Sequence, residues 1–177
     1  MVNQELTSQL SFWDSIHDGY YIAVTSGGFD PLHVGHLRSI INMKLAVRDY
    51  LVLKKKKIDK IDRPILSVVI VNGPNFLAQK KGYEFMPLVE RMEIIKNLQG
   101  VDYVVPWDQV GDDSTVINAL SIIKPHFFCK GGDRTKESGL AEQAVCDSLE
   151  CEIIYNVGGG KIQSSSWLVD AADKHKT

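Results

Sequence analysis

The sequence predicts an α/β fold, a doubly wound parallel sheet of five strands in a single domain. Three observations carry that expectation. From Tyr20 onward, short runs rich in β-branched and aromatic residues alternate with longer stretches of helical periodicity. The candidate Leu66 to Val71 is nearly continuous in Ile and Val, which suits a strand covered on both faces. Each glycine- and polar-rich segment follows a strand, the end at which an open α/β sheet binds its ligands.

The first strand is Tyr20-Tyr21-Ile22-Ala23-Val24-Thr25, stopped by Gly27-Gly28. A helix follows from about Val34, with Leu37, Ile40, Ile41, Leu45 and Val47 spaced for one buried face. Its tail is the charge run Lys54 to Lys57, continuing to Pro64, a solvated helix end and loop. Leu66 to Val71 is the second strand, broken by Asn72-Gly73-Pro74, and Gln79 to Gly82 reads as loop. A helix runs from Pro87, suited to a first turn, to about Leu98, with Gly100 ending it. Then come the strand Tyr103 to Val105, the helix Ser114 to Ile123, the strand His126 to Cys129 and the helix Leu140 to Leu149. Glu152 to Tyr155 is the fifth strand, and the last helix starts in Ser164-Ser165-Ser166, where serine is a good N-cap. Residues 1–19 form an N-terminal helical extension (Leu6, Leu10, Trp13, Ile16), a packing element or the contact of a homodimer, and the domain proper is 20–177.

At 177 residues, 44% hydrophobic and 24% charged, the chain can bury one proper core. A net charge of -2 argues against a nucleic-acid partner, and no apolar run reaches membrane-spanning length. The first 19 residues lack the basic flank and apolar run of a secretory signal, so a soluble cytoplasmic protein is expected. Cys129, Cys146 and Cys151 are odd in number and without zinc-ligand spacing, hence reduced and packed; no metal site is expected.

The sharpest chemical signal is Ser26-Gly27-Gly28-Phe29-Asp30-Pro31-Leu32-His33-Val34-Gly35-His36. A strand feeds a glycine turn and a helix opens on two histidines three residues apart. Free N–H groups and the positive end of the helix dipole favour a phosphate there. Gly35 leaves space for a ligand over the helix start. Without a Gly-x-Gly-x-x-Gly after the first strand, a dinucleotide-dependent dehydrogenase is excluded.

This segment resembles the HxGH signature of the nucleotidyltransferase superfamily, which includes cytidylyltransferases and the adenylyltransferase domain of ADP-heptose synthase. The resemblance covers roughly Tyr20 to Val169 and implies a Rossmann-like fold. Gln79-Lys80-Lys81-Gly82 with Glu90-Arg91-Met92 is similar to the family's phosphate-holding segments. Lys130-Gly131-Gly132-Asp133 is similar to the stretch after the fourth strand in the heptose branch. Lys161-Ile162-Gln163-Ser164-Ser165-Ser166 resembles the family's C-terminal hydroxyl element. Glycerol-3-phosphate cytidylyltransferases carry an arginine where Gly159 stands; Lys161 is its stand-in, and the departure favours the heptose branch.

The resemblance implies transfer of a nucleoside monophosphate from ATP, or CTP, to a small phosphorylated acceptor, with Mg2+ carried by the triphosphate. His33, His36 and Lys80 are the expected catalytic residues. Gly28, Phe29, Asp30, Gly35, Lys130, Gly131, Gly132, Asp133 and Ser164 to Ser166 are expected to join the histidines around the nucleotide. Lys80, Lys81, Arg91 and Lys161 are expected to bind the acceptor. A cytidylyltransferase for glycerol 3-phosphate or another alcohol phosphate is the alternative. A nucleotide-binding sensor without turnover is the alternative of another class.

Overall fold

The computed structural model describes residues 2–55, 61–108, 115–132 and 135–174. Asp133, the helix start expected at Ser114, residues 56–60 of the charge run and the side chain of Leu6 lie outside the described residues. Five strands form the sheet: β1 (Tyr21–Gly27), β2 (Ile65–Asn72), β3 (Tyr103–Trp107), β4 (Phe127–Gly132) and β5 (Glu152–Gly160). Their order is β3-β2-β1-β4-β5, and all neighbours pair in parallel. The chain winds outward from β1 to β3, then crosses to β4 on the other side of β1. Strand order therefore reverses between β1 and β4, and a crevice opens beyond their C-terminal ends.

Alternate strand residues enter two separate cores, which explains the unbroken apolar runs. Ala23, Val69, Val71, Phe127 and Cys129 face one side, where Ile40, Met43, Val47, Leu51 and Ile95 cover them. These come from α2 (Val34–Ile41), α3 (Met43–Lys55) and α5 (Leu88–Lys96). Ile22, Val24, Val68, Ile70 and Phe128 face the other side, against Trp13, Leu120, Ile123 and Cys146. Those belong to α1 (Val2–His17), α6 (Ile117–Ile123) and α7 (Gln143–Ser148). The three cysteines are free and buried, and burial pushes the Cys129 thiol up to about 12. Among the described residues no helix is long and apolar enough to cross a membrane.

Several sequence expectations are corrected. The helix after β1 is two helices, interrupted at Asn42, whose side-chain amide donates to the Arg38 carbonyl. The break turns the buried face to Ile40, Met43, Val47 and Leu51, leaving Ile41 and Leu45 43% and 52% exposed. Lys80 and Lys81 lie on no loop but on the last turn of α4 (Pro74–Lys81), closed by Gly82 in the left-handed conformation. Strand β4 continues through Lys130-Gly131-Gly132, and β5 runs on past Tyr155 to Gly160. The final helix, α8 (Ser165–Asp173), is capped by Ser164 as expected.

Candidate active site

The crevice holds about 890 Å³. Its centre is the end of β1 and the start of α2; Asn72 and α4 wall one side. The ends of β4 and β5, the 139–142 segment and the start of α8 wall the other.

His33 caps α2 in extended backbone, and its Nδ1 accepts from the N–H groups of Gly35 (3.1 Å) and His36 (3.4 Å). A neutral ring capping in this way carries its proton on Nε2, pointing away from the helix. To cap, the ring folds back over residue 35, where a Cβ would sit 3.0 Å from the His33 Cε1. Gly35 therefore makes room for the neighbouring imidazole, and it also lines the crevice. The two rings stack at 3.7 Å between centroids and 22° between planes. Phe29, in the left-handed region at φ 51°, packs its ring edge-on against His36 at 5.0 Å. The Nδ1 of His36 is buried without a hydrogen-bond partner, so that ring meets the crevice through its Nε2 edge.

Both imidazoles are held neutral. Burial first, then Lys81 and Lys161, lowers the pKa of His33 below the ordinary histidine value. His36 is driven down to about 3 by burial, with His33, Lys81 and Lys80 adding to it.

On the α4 side, Lys81 donates to the carbonyl of Asp30 and lines the crevice, its pKa lowered by burial and by Lys80 and Arg91 nearby. Lys80 also lines it, exposed, with Nζ 5.3 Å from the Phe76 ring. Two expected ligands are corrected here. Asp30 is 1% exposed, and its carboxylate accepts from the N–H groups of Phe85 and Met86 at 2.7 Å each. Arg91 is also 1% exposed; its guanidinium donates to the carbonyls of Gly28, Asn72 and Met86 and pairs with Glu84, not with Glu90 or Glu93. Neither residue lines the crevice. Together they fasten the ends of β1 and β2 to the 84–86 segment, which keeps the crevice floor in place.

On the β4–β5 side, Gly131 and Gly132 line the wall, and Lys130 reaches across the Phe128 ring toward Glu142, 3.7 Å away. The Ser164 hydroxyl accepts from the N–H of Trp167 and lies 3.0 Å from the exposed Ser166 hydroxyl. Ser165 donates to the Pro31 carbonyl at 2.9 Å, tying α8 to the turn before His33. Lys161 is exposed at the rim, 5.5 Å from the Trp167 ring. Gly158, at φ 87°, admits no side chain because its Cβ would meet the Ser39 nitrogen at 2.6 Å; α2 presses there on β5.

The structure thus brings to one crevice Gly28, Phe29, His33, Gly35, His36, Lys80, Lys81, Lys130, Gly131, Gly132, Lys161 and Ser164 to Ser166. It adds Ser39, Asn72, Thr115, Glu142 and Gly158 to Gly160, which sequence reasoning missed. The Gly158-Gly159-Gly160 run was a visible signal for close backbone approach; Glu142 has none.

No family model matches the chain. It is 34% identical over 117 residues to the bifunctional protein HldE of Methylococcus capsulatus, covering 65% of this chain and 20% of that protein. Against HldE of Hahella chejuensis the identity is 31% over 134 residues, 75% of this chain and 24% of the relative. The chain therefore spans about a fifth to a quarter of the length of these curated relatives. Among solved structures it shares its fold with the lipopolysaccharide core biosynthesis protein from Thermoplasma volcanium GSS1. The TM-score is 0.51, with 21% identity and coverage of 76% of this chain and 94% of that one.

Proposed function

We propose that the chain is a nucleotidyltransferase of the HxGH superfamily, as its similarity to HldE proteins suggests, and that it transfers AMP from ATP to a sugar phosphate, as a heptose-1-phosphate adenylyltransferase does. The observation that carries the reading is the stacked, neutral His33–His36 pair at the start of α2, its Nε2 edges turned to a crevice walled by lysines. Neutral imidazoles donate hydrogen bonds to phosphate oxygens without needing a proton from solvent. The similarity to HldE proteins supports the sugar-phosphate acceptor and the adenine nucleotide.

In the proposed reaction an acceptor phosphate oxygen attacks the α-phosphorus in line. A new P–O bond forms, the α–β bridge bond breaks, and pyrophosphate leaves with its electron pair. No covalent enzyme intermediate is required, so positioning and charge stabilisation supply the rate. The histidines contact the α-phosphate and the departing pyrophosphate, where charge grows. Lys80 and Lys81, on the α4 side, and Lys161 at the rim hold the acceptor phosphate; the free N–H groups at the start of α8 hold triphosphate oxygens. Mg2+ enters as part of the nucleotide substrate, keeping much of its water shell.

The test is pyrophosphate release with Mg2+, pairing ATP or CTP with heptose 1-phosphate or glycerol 3-phosphate. ATP with the sugar phosphate is expected to be the productive pair. A preference for CTP with glycerol 3-phosphate would move the protein to the cytidylyltransferases. Binding of nucleotide without release from any pair would mark a sensor.

A further inference from the structure

Among the described residues lining the crevice, Glu142 is the one acidic side chain, and the mechanism above gives it no part. A carboxylate repels phosphate, so its presence in an anion-binding crevice calls for a reason. Its side chain is 11% exposed, and the nearest cation, Lys130 Nζ, stands 3.7 Å away, beyond hydrogen-bonding distance. Among the described residues nothing hydrogen-bonds its oxygens. A crevice-lining carboxylate with no donor from the described protein is open to one from the crevice's occupant.

An ionised carboxylate accepts and cannot donate, so the completing group must present N–H or O–H. On a nucleoside triphosphate the neutral donors sit on the nucleoside: the ribose hydroxyls and the amino group of the base. Glu142 precedes α7, on the β4–β5 wall, across β1 from Lys80 and Lys81. Lys130, matched by Glu142, brings little net charge to the triphosphate, so this pair forms a polar but nearly neutral stretch of wall. We propose that Glu142 is a specificity-determining residue that accepts a hydrogen bond from the nucleoside half of the nucleotide. The inference rests on the proposed nucleotide-binding function and goes further by separating nucleoside recognition from phosphate recognition.

The test uses the full chain, wild type and Glu142→Gln, with Kd measured for Mg-ATP and for inorganic tripolyphosphate. Glutamine keeps the shape and removes the charge. Because a charge-assisted hydrogen bond is about twice as strong as a neutral one, ATP should lose at least about fivefold relative to tripolyphosphate. Tripolyphosphate itself should bind as before or more tightly, since a negative charge has gone. A variant in which both ligands weaken alike, or neither changes, overturns the inference. Wild-type protein supplies a second arm should the variant misfold. ITP, which has a keto group in place of the amine, 2′-deoxy-ATP and 3′-deoxy-ATP are compared with ATP. One of the three should bind at least about fivefold more weakly, naming the donor; three affinities equal to that of ATP overturn the proposal. Wild-type protein that binds tripolyphosphate but no nucleotide would overturn the proposed function itself.

Discussion

His33 and His36 stack at 3.7 Å where the strands end, and His17 and His126 stack at 4.2 Å where they begin. The interplanar angles are nearly equal, 22° and 24°, so ring geometry does not separate the pairs. Their hydrogen bonds do. His126 accepts from the Ile22 N–H through Nδ1, and His17 donates to the Lys124 carbonyl, both at 3.0 Å. That pair fastens α1 to the sheet. At the crevice, His33 uses Nδ1 as a helix cap and leaves Nε2 outward, while the buried Nδ1 of His36 has no partner. A stacked imidazole pair is therefore no site by itself; an edge turned to a lysine-walled crevice makes it a candidate for one.

The comparison breaks most sharply under alanine substitution. Replacing His33 or His36 with alanine should cut turnover at least about a hundredfold, the usual loss when one transition-state donor is removed. Steady-state pyrophosphate release by folded variants checks this. Lysines at the two ends of the sheet should differ in the same sense. Lys81→Gln is expected to lower kcat/KM about tenfold, with Lys80→Gln in the same direction. Lys54, beside Tyr50 and 3.9 Å from Glu152 at the strand-start end, should tolerate glutamine without loss. Equal damage from Lys54 and Lys81 would remove the site from this crevice.

The smallest expected effects are on stability. His126→Ala leaves the Ile22 N–H without its acceptor and should cost about 1–3 kcal/mol, read from denaturant unfolding. Burial, with His17 and Arg63 close by, holds the His126 pKa down to about 4, and that of His36 is about 3. In the unfolded chain both take up protons near pH 6.5, whereas the native state resists until much lower pH. Stability is therefore full above about pH 6.5 and declines as pH falls toward about 4. Melting curves across that range should show a shallower decline in His126→Ala.

The sequence showed the strand and helix alternation, the HxGH turn and the Ser164 cap because each rests on local chemistry: period, glycine placement and capping. What stayed hidden was set by contacts between distant segments. Asp30 and Arg91 have the residue types of ligands, but the fold of residues 84–86 decides that they hold backbone instead. Helix α4 carries proper end signals in Pro74 and Gly82, yet its polar composition gives no apolar face to read. Strand β5 continues into glycines of poor strand propensity because β4 pairs with them. One continuous helix would turn Ile41 and Leu45 inward, and the break at Asn42 turns them out.

On the proposed function the crevice pair acts in chemistry and the distal pair in docking. The most direct measurement is pyrophosphate release from Mg-ATP and heptose 1-phosphate by His36→Ala and His126→Ala, each assayed well below its own melting temperature. The crevice variant should retain on the order of 1% of wild-type turnover or less, and the distal variant essentially all of it. Comparable turnover from the two variants, whether both active or both impaired, would contradict the account.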